Sequence, residues 1–214
     1  MRLYLYLIGS LTFVLINSAF AQDDKAIAVS KSPNIPYFVG GINRAGVSGV
    51  DNKSDISPLT SFNFGVGFLT LINKPGPASL TVEALYSGQG YKINGVTRNS
   101  SPEYMRLNYI NIPAVLRFNL SKSSNFYLGI GPQIGFVVDG NIVAKDGSKT
   151  KFSESSLDKT AFDAVGTFGT YFRGRADMGV EFRFQGGLNK FMNSRPDYRH
   201  SVLQLRLIAP MFFL

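Results

Sequence analysis

The chain has 214 residues, 22 Lys and Arg against 14 Asp and Glu, and a formal net charge of +8, enough for one domain with a sizeable core and few for two. It holds 22 glycines, 18 phenylalanines and 10 tyrosines but no tryptophan, a composition that disfavours a helical bundle and favours strands. With no cysteine and one histidine, it excludes disulfides, thiolate nucleophiles, thiolate metal sites, a lipoprotein-type cysteine and any multi-histidine metal centre.

Residues 1–21 read as a secretory signal peptide. Arg2 makes a positive start, Leu3 to Ile16 are mostly apolar, and Ala19-Phe20-Ala21 fits the small-x-small cleavage rule. The apolar stretch is short for a membrane-spanning helix, which takes roughly 20 residues. The mature chain is expected to start at Gln22, with 22–36 as a periplasmic N-terminal segment and 37–214 as a single barrel domain.

From there the pattern is period-two alternation, the mark of strands with two unlike faces. A first, weaker strand covers about 37–47. The clearest runs from Ser61 to Ile72, with Phe62, Phe64, Val66 and Phe68 on one face and Asn63, Gly65 and Gly67 on the other. Weaker strands follow at 79–92 and 106–118. Residues 126–139 set Phe126, Leu128, Ile130, Ile134, Phe136 and Val138 against Tyr127, Gly129, Gly131, Gln133 and Asp139. A weaker strand at 161–172 precedes 176–185, where Met178, Val180, Phe182 and Phe184 oppose Asp177, Glu181, Arg183 and Gln185; the last strand covers 201–213. Short turns at 73–77, 121–124 and 173–175 interleave with long loops near 48–60, 93–105, 140–160 and 187–199. Eight strands so connected predict an all-β, eight-stranded antiparallel up-and-down transmembrane β-barrel in an outer membrane, with both termini periplasmic. Pairing Phe118 with Phe126 sets Leu116 opposite Leu128 and Ile110 opposite Ile134, and places Phe118, Phe126 and Phe172 in an aromatic girdle at the turn end.

Alternation alone does not say which face is inside, and a soluble lipocalin-like barrel has the opposite polarity. The charges decide. Glu83, Arg117, Asp163, Asp177, Glu181, Arg183 and Arg206 all fall on polar strand faces, four acidic and three basic. The lysines fall in loops, turns, strand ends or the N-terminal tail. Arginine with carboxylate suits a confined lumen, because guanidinium binds carboxylates bidentately. These seven residues are therefore expected to form a structural ion network inside the barrel, closed to ions.

Several blocks resemble the PorT-like outer-membrane barrel family of Bacteroidetes-type bacteria: Gly40-Gly41-Ile42-Asn43, Glu83-Ala84-Leu85-Tyr86-Ser87 with Gly90, Leu107-Asn108-Tyr109-Ile110-Asn111-Ile112-Pro113, Tyr127-Leu128-Gly129-Ile130-Gly131-Pro132, Asp163, Gly186-Gly187-Leu188 and Val202-Leu203-Gln204-Leu205. The strand 4 block is the sharpest, since proline inside a strand removes a ladder donor. The resemblance implies the barrel fold, the outer membrane, and a link to protein secretion. Such proteins usually end in an aromatic residue read by the barrel-insertion machinery; this chain ends Phe212-Phe213-Leu214, so Phe213 is expected to serve.

No catalytic, metal or cofactor site is expected. Gly65-x-Gly67 and Gly129-x-Gly131 lack the following helix that a phosphate loop needs, and glycine there makes room for arginine and tyrosine from facing strands. His200 and Ser201 are adjacent on a strand, so they point to opposite faces and form no base–nucleophile pair; His200 reads as a solvated residue at the strand mouth. Asp163 and Glu181 resemble a hydrolase carboxylate pair, but an eight-strand lumen is only wide enough for side chains. The outer loops offer Lys145, Lys149, Lys151, Arg195 and Arg199 as partner contacts, with lipopolysaccharide and other outer-membrane lipids attracted through phosphate. Nucleic acid is not an expected partner. The expected role is a non-enzymatic structural or interaction component of the envelope, with other envelope or secretion proteins as expected partners; the alternatives are an enzyme acting on lipid A or phospholipid, and a narrow passive pore.

Overall fold

The computed structural model describes residues 34–48, 56–72, 78–93, 103–120, 125–143, 148–151, 158–172, 178–189 and 199–211. The strands are β1 (Ile35–Ser48), β2 (Ile56–Leu71), β3 (Ala78–Ile93), β4 (Glu103–Asn119), β5 (Phe126–Val143), β6 (Lys149–Lys151), β7 (Thr160–Tyr171), β8 (Gly179–Gly187) and β9 (Arg199–Pro210). Each long strand pairs antiparallel with the next, β9 returns to β1, and β4–β5 pairing completes the ring, a closed eight-strand meander without a free edge. β6 is the ninth strand. It does not cross the barrel but folds back on the end of β5, with Ile142 opposite Thr150.

Most long strands run past the bounds that alternation predicts. β2 starts at Ile56, β4 at Glu103 and β9 at Arg199, and β5 continues to Val143. The added residues lie at the long-loop end, where backbone ladder bonds persist after the side chains cease to alternate. β8 is shorter, starting at Gly179. The three short turns are each flanked by a backbone hydrogen bond, from the amides of Ile72, Leu120 and Phe172 to the carbonyls of Ala78, Phe126 and Met178.

The β4–β5 register differs from the sequence expectation by two residues: Phe118 faces Leu128, Leu116 faces Ile130 and Ile110 faces Phe136. A shift of two keeps every side chain on its own face, so hydrophobic pattern cannot detect it; only a shift of one would turn the strand inside out. Phe126 instead stacks on Phe168 of β7, with 5.9 Å between ring centroids.

Proline interrupts two ladders. β3–β4 pairing skips Glu83 and Ala84 opposite Ile112 and Pro113, and β4–β5 pairing skips Ala114 and Val115 opposite Gly131 and Pro132. At that second gap a Cβ on Gly131 would run into the Ala114 carbonyl, and Gly41 stands likewise against Leu205 of β9. Glycine is required where the neighbouring strand's backbone comes this close.

The apolar face turns outward. Phe62 is 72% exposed and Ile130 66%, and Phe38, Ile42, Val82, Ile112, Phe168, Phe182, Leu205 and Leu207 continue the belt around the wall. The interior is packed in levels. Tyr37, Val39, Leu85 and Ile208 cluster with Leu69 and Tyr171 toward the turn end. Tyr91, Met105, Leu107, Tyr109 and Ala161 cluster with Val47, Ile56 and Val137 at the long-loop end. Charged side chains sit among the first cluster, and amide side chains lie between the two.

Candidate functional site

Two-residue periodicity sends alternate side chains into the lumen, and the register brings five charged ones to one level near the turn end. Glu181 pairs across β8–β9 with Arg206, while Arg183 stands two residues from Glu181 on the same face. Glu83 enters from β3 and Arg117 from β4. All five side chains are buried.

Arg206 grips Glu83 with both terminal nitrogens, Nη1 to Oε2 and Nη2 to Oε1 at 2.9 Å each, and Nη2 also reaches Glu181 Oε1 at 2.6 Å. Arg117 Nη2 donates to Glu181 Oε2 at 2.7 Å. Arg183 donates from Nε to Glu181 Oε1 at 3.1 Å, and its Nη1 lies 2.9 Å from Glu83 Oε2. Three tyrosines complete the lattice. Tyr37 donates to Glu83 at 2.7 Å, Tyr127 to Glu181 at 2.9 Å, and Tyr171 accepts from Arg117 at 2.7 Å. The Arg117 guanidinium also lies 4.7 Å from the centre of the Tyr127 ring. Both carboxylates are thus saturated with donors, which is the condition under which buried charge is tolerated.

The inward glycines are part of this packing. A Cβ on Gly67 would sit 2.5 Å from Tyr37 Cζ and 2.9 Å from Glu83 Cγ, and one on Gly129 would meet Thr167 and Arg117. Gly67 and Gly129 therefore leave room for tyrosine and arginine, whereas Gly131, in the same motif as Gly129, answers to the strand backbone instead.

Asp163 does not join the lattice. It is buried on β7 toward the other end, opposite Gln133, and its Oδ2 accepts from Gln133 Nε2 and Gln185 Nε2 at 2.9 Å each. Gly169, not Asp163, faces Glu181 across β7–β8. Six residues, about 20 Å along a strand, separate the two positions, so no Asp163–Glu181 carboxylate pair exists. Asp163 is thus not part of the expected ion network, because the β7–β8 register sets it opposite Gly187 rather than beside Glu181. Asp177 lies outside the described residues. The described lumen charges then balance, Glu83, Asp163 and Glu181 against Arg117, Arg183 and Arg206.

Above the lattice lies a level of amides. Asn43 Nδ2 donates to Ser87 Oγ at 3.0 Å and to the Gly88 carbonyl at 2.8 Å, and Asn63 donates to Asn43. His200 is not solvated at the strand mouth. It is buried in the lumen, with Nε2 2.7 Å from the Tyr109 hydroxyl and the rings edge to face. Ser201 faces away, as adjacent strand residues must. The sequence places Tyr127, Gln133 and Gln185 on the polar face of their strands, but names none of them, nor Tyr37 or Tyr171, as a partner of the charged groups. Their inward parity was readable, but their partners come from strands remote in sequence.

Of the loop cations, Lys149 and Lys151 lie exposed on β6 and Arg199 exposed at the start of β9. Lys145 and Arg195 lie outside the described residues. Among the described residues, no group of three or more His, Asp or Glu side chains is placed to hold a metal ion.

A closed antiparallel ring, apolar outside and ionic inside, defines a transmembrane β-barrel with a filled lumen. The chain belongs to the outer membrane protein beta-barrel domain family, which matches residues 20–193. Among solved structures it is similar to Neisserial surface protein A, with a TM-score of 0.50 at 13% identity over 81% of this chain and 96% of that one. It also matches Ail, the attachment invasion locus protein of Yersinia pestis, with a TM-score of 0.44 at 10% identity over 83% and 99% of the two chains. OprG of Pseudomonas aeruginosa matches with a TM-score of 0.39 at 9% identity over 82% and 93%. No curated protein matches the chain.

Proposed function

We propose that this outer-membrane barrel is a non-enzymatic structural or interaction component of the envelope, a rigid membrane body that presents its outer loops or periplasmic turns to a partner. The observation that carries this reading is the doubly filled lumen: the arginine–glutamate lattice at one level and the Tyr91–Met105–Leu107–Tyr109 cluster at another. Among the described residues, Glu83 and Glu181 on the first level and His200 beside the second are buried and hydrogen-bonded. The blocks from Gly40 to Leu205 support the finer reading of a PorT-like protein with a role alongside secretion proteins, Arg2 to Ala21 support a signal peptide over 1–21, and the alternation of short turns with long loops supports periplasmic termini.

Planar-bilayer recording of the full barrel tests the sealed lumen. The expected trace has no steady conductance; a stable open channel would restore the passive-pore reading. Cross-linking in intact outer membranes, followed by co-purification, identifies the partner. Lipid A and phospholipid profiles should be unchanged by deleting the protein, whereas loss of a modified lipid species would make it an enzyme.

A further inference from the structure

The outer wall departs from a uniform belt on one side. Across β1–β4, on the membrane face, a groove of about 410 Å³ is lined by Phe38, Phe64, Val66, Ala84, Tyr86 and Ile110. Farther along β3 and β4, toward the long-loop end, the outward positions change character. β3 continues through Gly88 and Gly90, both buried, to the half-buried Lys92, and β4 through Asn108 to Arg106. The register sets Arg106 beside Gly90 and Lys92 beside Tyr104, so the two cations are diagonal neighbours on one face. Lys92 Nζ lies 5.4 Å from the Tyr104 ring centre, which keeps the ammonium close to the wall. Arg106 is exposed.

The spacing matches a lipid. Ile110 to Arg106 is four residues, about 13 Å along a strand, and one leaflet of hydrocarbon is about 15 Å deep, half of a ~30 Å core. A phosphate at the cations would therefore place its acyl chains level with the groove. Two adjacent cations also suit a phosphate monoester, which carries about −1.5 to −2 at neutral pH, better than a diester with a single charge. On the neighbouring β5, Asp139 is exposed at this level and accepts from Asn141 Nδ2 at 2.7 Å and Asn108 Nδ2 at 3.5 Å. Its charge disfavours a second phosphate on that side.

We propose that Lys92, Arg106 and the β1–β4 groove form a docking site for one phosphomonoester glycolipid of the lipid A type, its phosphate between the two cations and an acyl chain in the groove. This deepens the interaction reading by naming a lipid partner. It rests on the barrel lying in an outer membrane with its long-loop end outward, in the leaflet that holds lipid A.

Native mass spectrometry of the full-length barrel, released from detergent with lipid A, dephosphorylated lipid A or phosphatidylglycerol, tests the site. Wild type should retain one lipid A, and the other two lipids far less. Lys92→Gln with Arg106→Gln should weaken retention about tenfold or more, and Ala84→Phe, which fills the groove, should weaken it too. Lys149→Gln with Lys151→Gln on β6 should leave it unchanged. Gel mobility of unboiled samples verifies folding of each variant. Equal retention by the Lys92/Arg106 variant overturns the site, and phosphatidylglycerol binding as well as lipid A reduces it to a general anionic surface. If the variants fail to fold, lipid A against its dephosphorylated form on wild type decides alone. Failure here leaves the sealed-lumen reading intact, because conductance tests that separately.

Discussion

Three arginines share two glutamates in the lattice, and that count ranks the substitutions. Glu83 accepts from both nitrogens of Arg206 and from Tyr37, and it pairs with Arg183. Glu83→Gln would leave three buried guanidiniums around Glu181 alone, and breaking a buried pair in this way costs about 3–5 kcal/mol. Arg183→Met leaves two guanidiniums for two carboxylates, since Arg206 and Arg117 still serve both. Both variants should lose the heat-resistant gel form at lower temperature than the parent, Glu83→Gln by the larger margin; the reverse order would mean that the lattice is not governed by charge balance. His200→Ala separates the sequence from the structure. A solvated histidine would be dispensable, but removing this one leaves the buried Tyr109 hydroxyl without its imidazole partner, a cost of about 1–3 kcal/mol. The urea midpoint of the refolded barrel should fall accordingly.

For the strands, glycine stands where backbone approaches backbone most closely. Gly131→Ala puts a methyl into the Ala114 carbonyl beside the Pro132 gap, whereas nothing lies within 4 Å of a Cβ built on Gly166. Overpacking of this kind typically costs about 1–3 kcal/mol. Gly131→Ala should therefore reduce the folded fraction on unboiled gels, and Gly166→Ala should match the parent. Equal behaviour would show that β4 and β5 relax apart without penalty. β6 belongs to the same scale. Its three residues continue the β5 ladder beyond the apolar belt, with Lys149 and Lys151 exposed, so it extends a hairpin into water and adds nothing to the span.

At the scale of the whole barrel, the two ends differ. The short turns lie beside the ionic lattice, and the long connections lie beyond the apolar cluster of Tyr91, Met105, Leu107 and Tyr109. With short turns toward the periplasm, cysteine at Lys149 should react with an impermeant maleimide on intact cells, and cysteine at Lys74, in the first short turn, should not. The chain has no native cysteine to confuse the assay. Labelling at Lys74 from outside would invert the orientation.

The sequence by itself determined the number of crossing strands, which face of each is greasy, and that charges concentrate on the other face, because these follow from a strict period of two that each strand carries within itself. Phe62 through Phe68 show their polarity without reference to any neighbour. The tertiary structure decided what that period leaves open. A two-residue slip between β4 and β5 preserves every face, so Phe118 and Leu116 gave no sign of their true partners. The position of Asp163 among Gln133 and Gln185, rather than beside Glu181, follows from the register of three strands acting together. His200 likewise looked terminal in the chain order, yet closure of the ring places it inside, against Tyr109. Inward direction is a local property of the backbone; which inward side chains meet depends on the stagger with which the ring closes.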